Sequence, residues 1–211
     1  ATFEGAARHG QVSDALIEFH TRVAAGGAAM STVAYLAVAP EGRTDRNCIV
    51  LGEDSLPGLR RLTDAIHGEG ALASAQIGHA GPVANPKSNR MPALAPSRHI
   101  GATGSVSRAV SDNDIARITA DYEKGAAVAA DAGFDAHEIH LGHNYLLSAF
   151  LSPKLNKRKD GWGGSLANRA RVPRQVVEAV RRAVGDRVAV TAKVNMADGV
   201  VMFDQGLRLA A

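Results

Sequence analysis

Apolar positions along the chain alternate between two periods. After Ser13, residues Leu16, Ile17, His20 and Val23 recur at helical spacing until Gly26-Gly27, which predicts a capped helix and its stop. Ala28 to Val38 is then a run of small, apolar and β-branched residues with the length of a buried strand. Ser55 and Pro57 open a second helix with Leu59, Leu62 and Ile66 on one face, closed by Gly68 and Gly70. Ala71 to Ile77 predicts a second strand. Ser111 and Asp114 have the spacing of a capping box, with Asp in place of the usual Glu. From there Ile115, Ile118, Tyr122, Ala126 and Ala129 carry a helical stripe to Gly133. Phe134 to Ile139 predicts a third strand, interrupted by charges. Ser165 caps a further helix through Val176, Val177 and Val180 to Gly185, with Pro173 either kinking it or lying near its true start. Val188 to Val194 is the cleanest strand, and Asp204 begins a last amphipathic fragment, Leu207 to Ala211.

Strands alternating with helices predict repeated β-α units and a parallel sheet. Four strands fall short of the eight, in ~250 residues, of a closed (β/α)₈ barrel. An open doubly wound sheet suits 211 residues better. Yet no G-x-G-x-x-G follows a strand, and no phosphate-binding G-x-x-x-x-G-K-[ST] occurs. Periodicity leaves the choice open. One segment resists it altogether: Gly78 to Val110 holds Pro82, Pro86, Pro92 and Pro96 among small polar residues. A loop of that length in a compact domain is functional or disordered.

Composition narrows the function classes. The net charge of +3, from 24 basic and 21 acidic residues, is too mild to argue for nucleic acid. The apolar stretches are far short of the ~20 residues that span a bilayer, and no basic-then-apolar leader opens the chain. Cys48 is the single cysteine, which excludes an internal disulfide framework and a cysteine-ligated zinc or iron–sulfur site within this chain. A reducing, cytoplasmic setting is the expectation, with a small-molecule substrate, no nucleic acid and no membrane; a homo-oligomer is left open.

In parallel α/β folds the reacting groups gather where strands end. Here those ends are polar: Gln76-Ile77-Gly78-His79, then His137-Glu138-Ile139-His140 running to His143-Asn144-Tyr145, then Lys193-Val194-Asn195. Gln76 offers a donor and an acceptor to a heterocycle edge. Lys193 supplies positive charge beside electron-rich ring atoms. Paired histidines can hold a carbonyl oxygen and stabilise charge developing on it, and a nearby tyrosine can deliver a proton. Each has a plainer reading. His140 and His143 could ligate a metal with Glu138, but the H-E-x-x-H order is absent and no metal is expected. Gln76 could be a satisfied strand-end polar residue, Lys193 could snorkel or pair with an acid, and Tyr145 could be core. His137 reads as structural or solvent-facing, and Lys157-Arg158-Lys159 as a solvated loop. Their coincidence at successive strand ends is what argues for a site.

The order of residues from Gly133 to Arg171 adds a resemblance. Glu138-Ile139-His140, His143-Asn144-Tyr145-Leu146-Leu147, Phe150-Leu151-Ser152-Pro153, Asn156, Arg158, Asp160, Gly163-Gly164-Ser165-Leu166 and Asn168-Arg169 together resemble the Old Yellow Enzyme and NADH:flavin oxidoreductase family, including its 2,4-dienoyl-CoA reductase-like members. Gln76-x-x-His79-Ala80-Gly81 looks like the family's third-strand motif, and Ala1-Thr2-Phe3-Glu4 like the end of its first strand. The resemblance implies a (β/α)₈ TIM barrel with non-covalent FMN, reduced by NADH or NADPH, that reduces an activated C=C bond in an enone, enoate or dienoyl thioester. It implies His140 and His143 on the substrate oxygen and Tyr145 as proton donor. Gln76 would hold the flavin pyrimidine, Lys193 the region of N1 and the ribityl chain, and Thr2 would be a further flavin contact. Pro82 stands where the family usually has a basic residue, and Trp162 replaces the usual Tyr. Residues 1–211 are therefore expected to be one FMN-binding domain holding about strands one to five of the barrel, a truncated part of it. Two alternatives stay in view: a flavin-dependent amine dehydrogenase or demethylase of the same family, and a non-catalytic barrel fragment.

Overall fold

The structure is a computed structural model that describes residues 4–101 and 105–195. Thr2 and the fragment from Asp204 lie outside these residues.

Helix α1 (Asp14–Ala25) starts at the Ser13 cap, whose Oγ accepts the Leu16 N–H at 3.1 Å. It leads to β1 (Met30–Ala37), then α2 (Leu56–Gly68) and β2 (Leu72–Gly78). The described residues of the proline-rich segment that follows form short elements rather than a bare loop. It holds the short helix α3 (Pro86–Asn89) and strands β3 (Ala93–Ala95), β4 (His99–Ile100) and β5 (Val106–Ala109). These form a separate small sheet in the order β3-β5-β4. Its strands are two to four residues long, too short for periodicity to register. Helix α4 (Asp112–Asp131) opens on a reciprocal box: Ser111 Oγ accepts the Asp114 N–H, and Asp114 Oδ2 accepts the Ser111 N–H at 2.8 Å. Strand β6 (Ala136–Leu141) and the short α5 (Leu146–Leu151) follow. The helix expected from Ser165 is two helices, α6 (Leu166–Arg169) and α7 (Arg171–Val184), parted at Ala170. Pro173 lies in the first turn of α7, where its missing N–H deprives no carbonyl of a partner. Strand β7 (Ala189–Val194) is the last element among the described residues.

The main sheet runs β1-β2-β6-β7, every pair parallel. Its order follows the chain without the reversal that an open doubly wound sheet requires. This is an arc of a (β/α)₈ barrel. Register then sorts side chains between the two faces. Gln76 lies opposite Glu138, and His140 opposite Lys193. Alternate positions Ala73, Ala75, Ile77, Ile139 and Leu141 belong to the main core, together with Leu59 and Leu62 of α2, Ile118 and Tyr122 of α4, and Val176 and Val180 of α7. The opposite face carries Ser74, Gln76, Glu138, His140 and Lys193, a polar lining where a barrel keeps its interior.

His137 is on the helix-facing side and is fully buried, so the solvent-facing reading does not hold. Neither ring nitrogen has a hydrogen-bond partner among the described residues. Burial, with a smaller contribution from Arg181, pushes its pKa down from 6.5 to about 4. The unfolded chain therefore binds the proton more tightly, and stability falls as pH drops from about 6.5 towards 4. At pH 5 the loss from this residue is about 2 kcal/mol. His137→Leu keeps an apolar volume there and removes the titration. Urea midpoints measured from pH 7 to 5 are expected to fall less steeply in His137→Leu than in the parent. Parallel curves would show that His137 is not the group responsible.

Candidate functional site

The site forms at the C-terminal ends of β1, β2, β6 and β7, around a small second apolar cluster. Ala34, Tyr35, Ala37, Cys48, Ala80, Ala84 and Ala93 are buried there, with Val50 and Tyr145 packed against them. The small alanine side chains leave room that the rings of two tyrosines fill. The Tyr35 and Tyr145 rings meet edge to face, 5.1 Å between centroids.

Tyr145 is held by the turn after β6. His143 and Asn144 both take left-handed backbone conformations, φ 56° and 57°, uncommon for residues with a Cβ. The turn is pinned by Ser148 Oγ, which donates to Gly142 O at 2.9 Å, and by the His143 N–H, which donates to Asn195 Oδ1 at 3.2 Å. Tyr145 then takes the N-cap position of α5 without capping it through its side chain, so its phenol is free to point elsewhere. It faces the hydroxyls of Tyr35 and Thr44, and burial pushes its pKa up to about 12. It keeps its proton at any physiological pH. The β2 loop closes on the same helix: the Leu146 N–H donates to His79 O at 2.9 Å. Gly81, at φ 57°, approaches so closely that a Cβ there would lie 2.7 Å from the Leu146 backbone. Only glycine suits both demands.

The two histidines form a relay. His140 is 2% exposed, and its Nδ1 accepts the Gly142 N–H at 3.3 Å. Acceptance at Nδ1 puts the ring proton on Nε2, which lies 3.2 Å from His143 Nδ1. His143 then accepts at Nδ1 and carries its own proton on Nε2, at an exposed position. Burial first, then His143 and Lys193, pushes the His140 pKa down to about 3. It is a neutral donor at neutral pH. Tyr145 stacks obliquely on the His140 ring, 4.3 Å between centroids.

Gln76 and Lys193 lie on the same face of the sheet as this cluster. Gln76 Nε2 donates to Glu138 Oε1 at 2.5 Å, which leaves the amide oxygen of a 3%-exposed side chain for another partner. Lys193 is half-buried opposite His140. Donors and acceptors for a flat heterocycle, a cation, and bare Gly78 two residues beyond Gln76 on the same strand suit a flavin ring. A Cβ at Gly78 would sit 3.2 Å from His140 Cβ. Among the described residues, no group of three or more His, Cys, Asp or Glu side chains is arranged to hold a metal ion.

Single-residue reading missed the frame around these groups. Tyr35 OH donates to Gly42 O and accepts the Thr44 N–H, each at 2.9 Å. Glu41, 4% exposed, holds Arg117 Nη2 at 2.6 Å and faces His79 Nε2 at 3.9 Å. Burial pushes the Glu41 carboxyl up, but His79 and Arg117 outweigh it and hold the pKa at about 2. The loop after β1 is thereby tied to β2 and α4. Arg158 is not part of a solvated run: its side chain is 13% exposed, and its guanidinium donates to Val110 O and Pro96 O while pairing with Asp160. Asn156 donates to Phe150 O and Trp162 O, and Arg169 to Leu151 O. These motif residues lace the long loop after α5 to the body.

The chain matches the sequence profile of the NADH:flavin oxidoreductase / NADH oxidase family over residues 2–207. It is 59% identical, over its whole length, to a 4,4'-dithiodibutanoate disulfide reductase of Rhodococcus erythropolis, and spans 53% of that protein. Among solved structures it resembles a 2-naphthoyl-CoA reductase in complex with 2-naphthoyl-CoA, with TM-score 0.94 and 26% identity. All of this chain and 35% of that one are covered. It also resembles an old yellow enzyme homologue from Zymomonas mobilis, with TM-score 0.86 and 27% identity, over 97% of this chain and 62% of the other.

Proposed function

The chain belongs to the NADH:flavin oxidoreductase / NADH oxidase family, and from that membership we propose that residues 1–211 are part of a single FMN-binding domain whose site reduces a small electrophilic substrate. FMN is the family's cofactor, with NADH or NADPH as reductant. When bound, FMN supplies two electrons as hydride. Gln76 would hold the pyrimidine edge and Lys193 the anionic side of the ring. Thr2 is proposed as a further contact.

The observation that carries the reading is one neutral proton donor beside a histidine relay that ends at an exposed N–H. An oxygen conjugated to a C=C bond gains negative charge as hydride adds to the far carbon. The His143 Nε2–H meets that charge directly, and His140 supports it by donating to His143 Nδ1. Tyr145 then gives its hydroxyl proton to the carbon beside the carbonyl, and the Thr44 hydroxyl that faces it can donate to the phenolate left behind. Enones, enoates and dienoyl thioesters meet these requirements.

A second reading is favoured by the 59%-identical disulfide reductase. Reduction of R–S–S–R to two thiols takes two electrons and two protons, and Tyr145 can protonate one thiolate as it leaves. One assay separates the readings. The FMN-loaded protein is given NADH or NADPH without oxygen, then 2-cyclohexenone or 4,4'-dithiodibutanoate. C=C reduction is expected to yield cyclohexanone, and disulfide reduction two free thiols for each nicotinamide oxidised. Failure to oxidise nicotinamide with either substrate would reject both. Denaturation is expected to release free FMN; FAD, or no flavin, from well-folded protein would sink the cofactor assignment.

A further inference from the structure

A cavity of about 530 Å³ opens beside the candidate site, lined by Thr44, Val83, Ala84, Asn85, Pro86, Lys87 and Ser105. Thr44 belongs to both places. Its hydroxyl faces the Tyr145 phenol, and its backbone N–H donates to Tyr35 OH at 2.9 Å. Thr44 therefore joins the cavity to the proposed proton donor. Its wall is short and mixed. Val83, Ala84 and Pro86 offer apolar contact, while Thr44, Asn85 and Ser105 offer polar groups. Lys87 is the one charged residue in the lining, and no acid faces it across the cavity. Lys87 is exposed and makes no ion pair or hydrogen bond among the described residues. The carboxylates nearer the site are already committed: Glu41 to Arg117 and His79, Asp114 to Arg108.

An apolar stretch with an uncompensated cation suits a short aliphatic acid. We propose that this cavity is a carboxylate subsite, in which Lys87 receives the anionic end of a substrate whose reducible bond lies at Tyr145. The inference rests on the proposed reductase reading and adds a substrate class to it: small acids whose carboxylate lies some bonds away from the reducible bond, as in disulfides with carboxylate tails. The backbone secures the position of Lys87. Asn85 caps α3 by accepting the Ser88 N–H at 3.1 Å. Asn89 Nδ2 donates to Arg43 O at 2.8 Å, which joins α3 to the loop that carries Thr44.

The test compares 4,4'-dithiodibutanoate with its uncharged dimethyl ester in the FMN-loaded protein. Lys87→Gln is expected to raise KM for the acid about fivefold, what a solvent-open ion pair contributes, with kcat unchanged. KM for the ester should not move. Lys87→Arg should retain the preference for the acid and Lys87→Glu should lose it, and the preference should shrink with added salt. An acid KM unaltered by Lys87→Gln would overturn the subsite. If neither compound is turned over, the reductase reading fails for this bond, and equilibrium dialysis of 4,4'-dithiodibutanoate against the oxidised protein still decides the subsite. Weaker binding by Lys87→Gln than by the parent supports it, and equal binding overturns it.

Discussion

Tyr145→Phe is expected to slow reduction of an enone by about 10²–10⁴-fold, the usual consequence of losing a general acid. Flavin content and flavin reduction by nicotinamide should stay near their original values. The ring carries the packing: it meets Tyr35 edge to face and stacks obliquely on His140. Phe preserves both contacts and removes only the hydroxyl that faces Tyr35 and Thr44. A phenol with its pKa raised to about 12 is fully protonated at neutral pH. A tyrosine serving only as core would give a near-neutral Phe variant, while Ala would cost stability through the cavity left behind. Stopped-flow measurement of the two half-reactions separates these cases. An unchanged substrate half-reaction with a weakly activated enone removes Tyr145 from the mechanism. Strongly activated substrates should be run beside it, because water can replace the donor there.

The second large effect concerns the histidines, and the direction of their hydrogen bonds gives it a shape. With His140 donating to His143 Nδ1, the donor that would meet substrate in the proposed reaction belongs to His143. His143→Ala is expected to weaken substrate reduction by about 10²–10³-fold, the scale of one lost oxyanion donor. His140→Ala should act mainly by freeing the His143 ring to take the other tautomer. The double variant should then be little worse than His143→Ala alone, since the two residues act as one relay. Titration of the oxidised, FMN-loaded variants with a phenolic ligand, followed in the flavin absorbance, checks the binding side. Full additivity of the two single effects would mean that each imidazole reaches the substrate independently.

The local elements were largely legible. Ser13 and Ser111 mark helix starts because a cap is a bond between neighbours in sequence, and both caps form. Pro173 was read as a kink or a start, and it marks the start of α7. The segment from Gly78 to Val110 was not legible. Its short strands are held by pairings such as Ala93 with Ser107 and His99 with Ser107, which leave no period in so few residues. The resemblance supplied the candidate site residues, but the reading of Arg158 as a loop charge failed. Its partners Val110 O and Pro96 O lie 48 and 62 residues away.

The sequence by itself determined the alternation of strand and helix, the polar character of the strand ends and the family to which the long motif belongs. These are properties of residues close together along the chain, set by period, cap and order. Periodicity left a barrel arc and an open sheet both standing; the resemblance implied the barrel, and the strand order bears it out. The face on which each polar residue lies came only with the tertiary structure. Period 2 puts Glu138 and His140 on one side of β6 and His137 on the other. Only the packing of α4 and α7 against the sheet makes one side core and the other lining. The pairing of Tyr35 with Tyr145, of Thr44 with the same phenol, and of Asn195 with the His143 backbone likewise came from register. Each joins residues from different β-α units, and nothing local in a sequence encodes a distance between atoms that only the assembled sheet brings together.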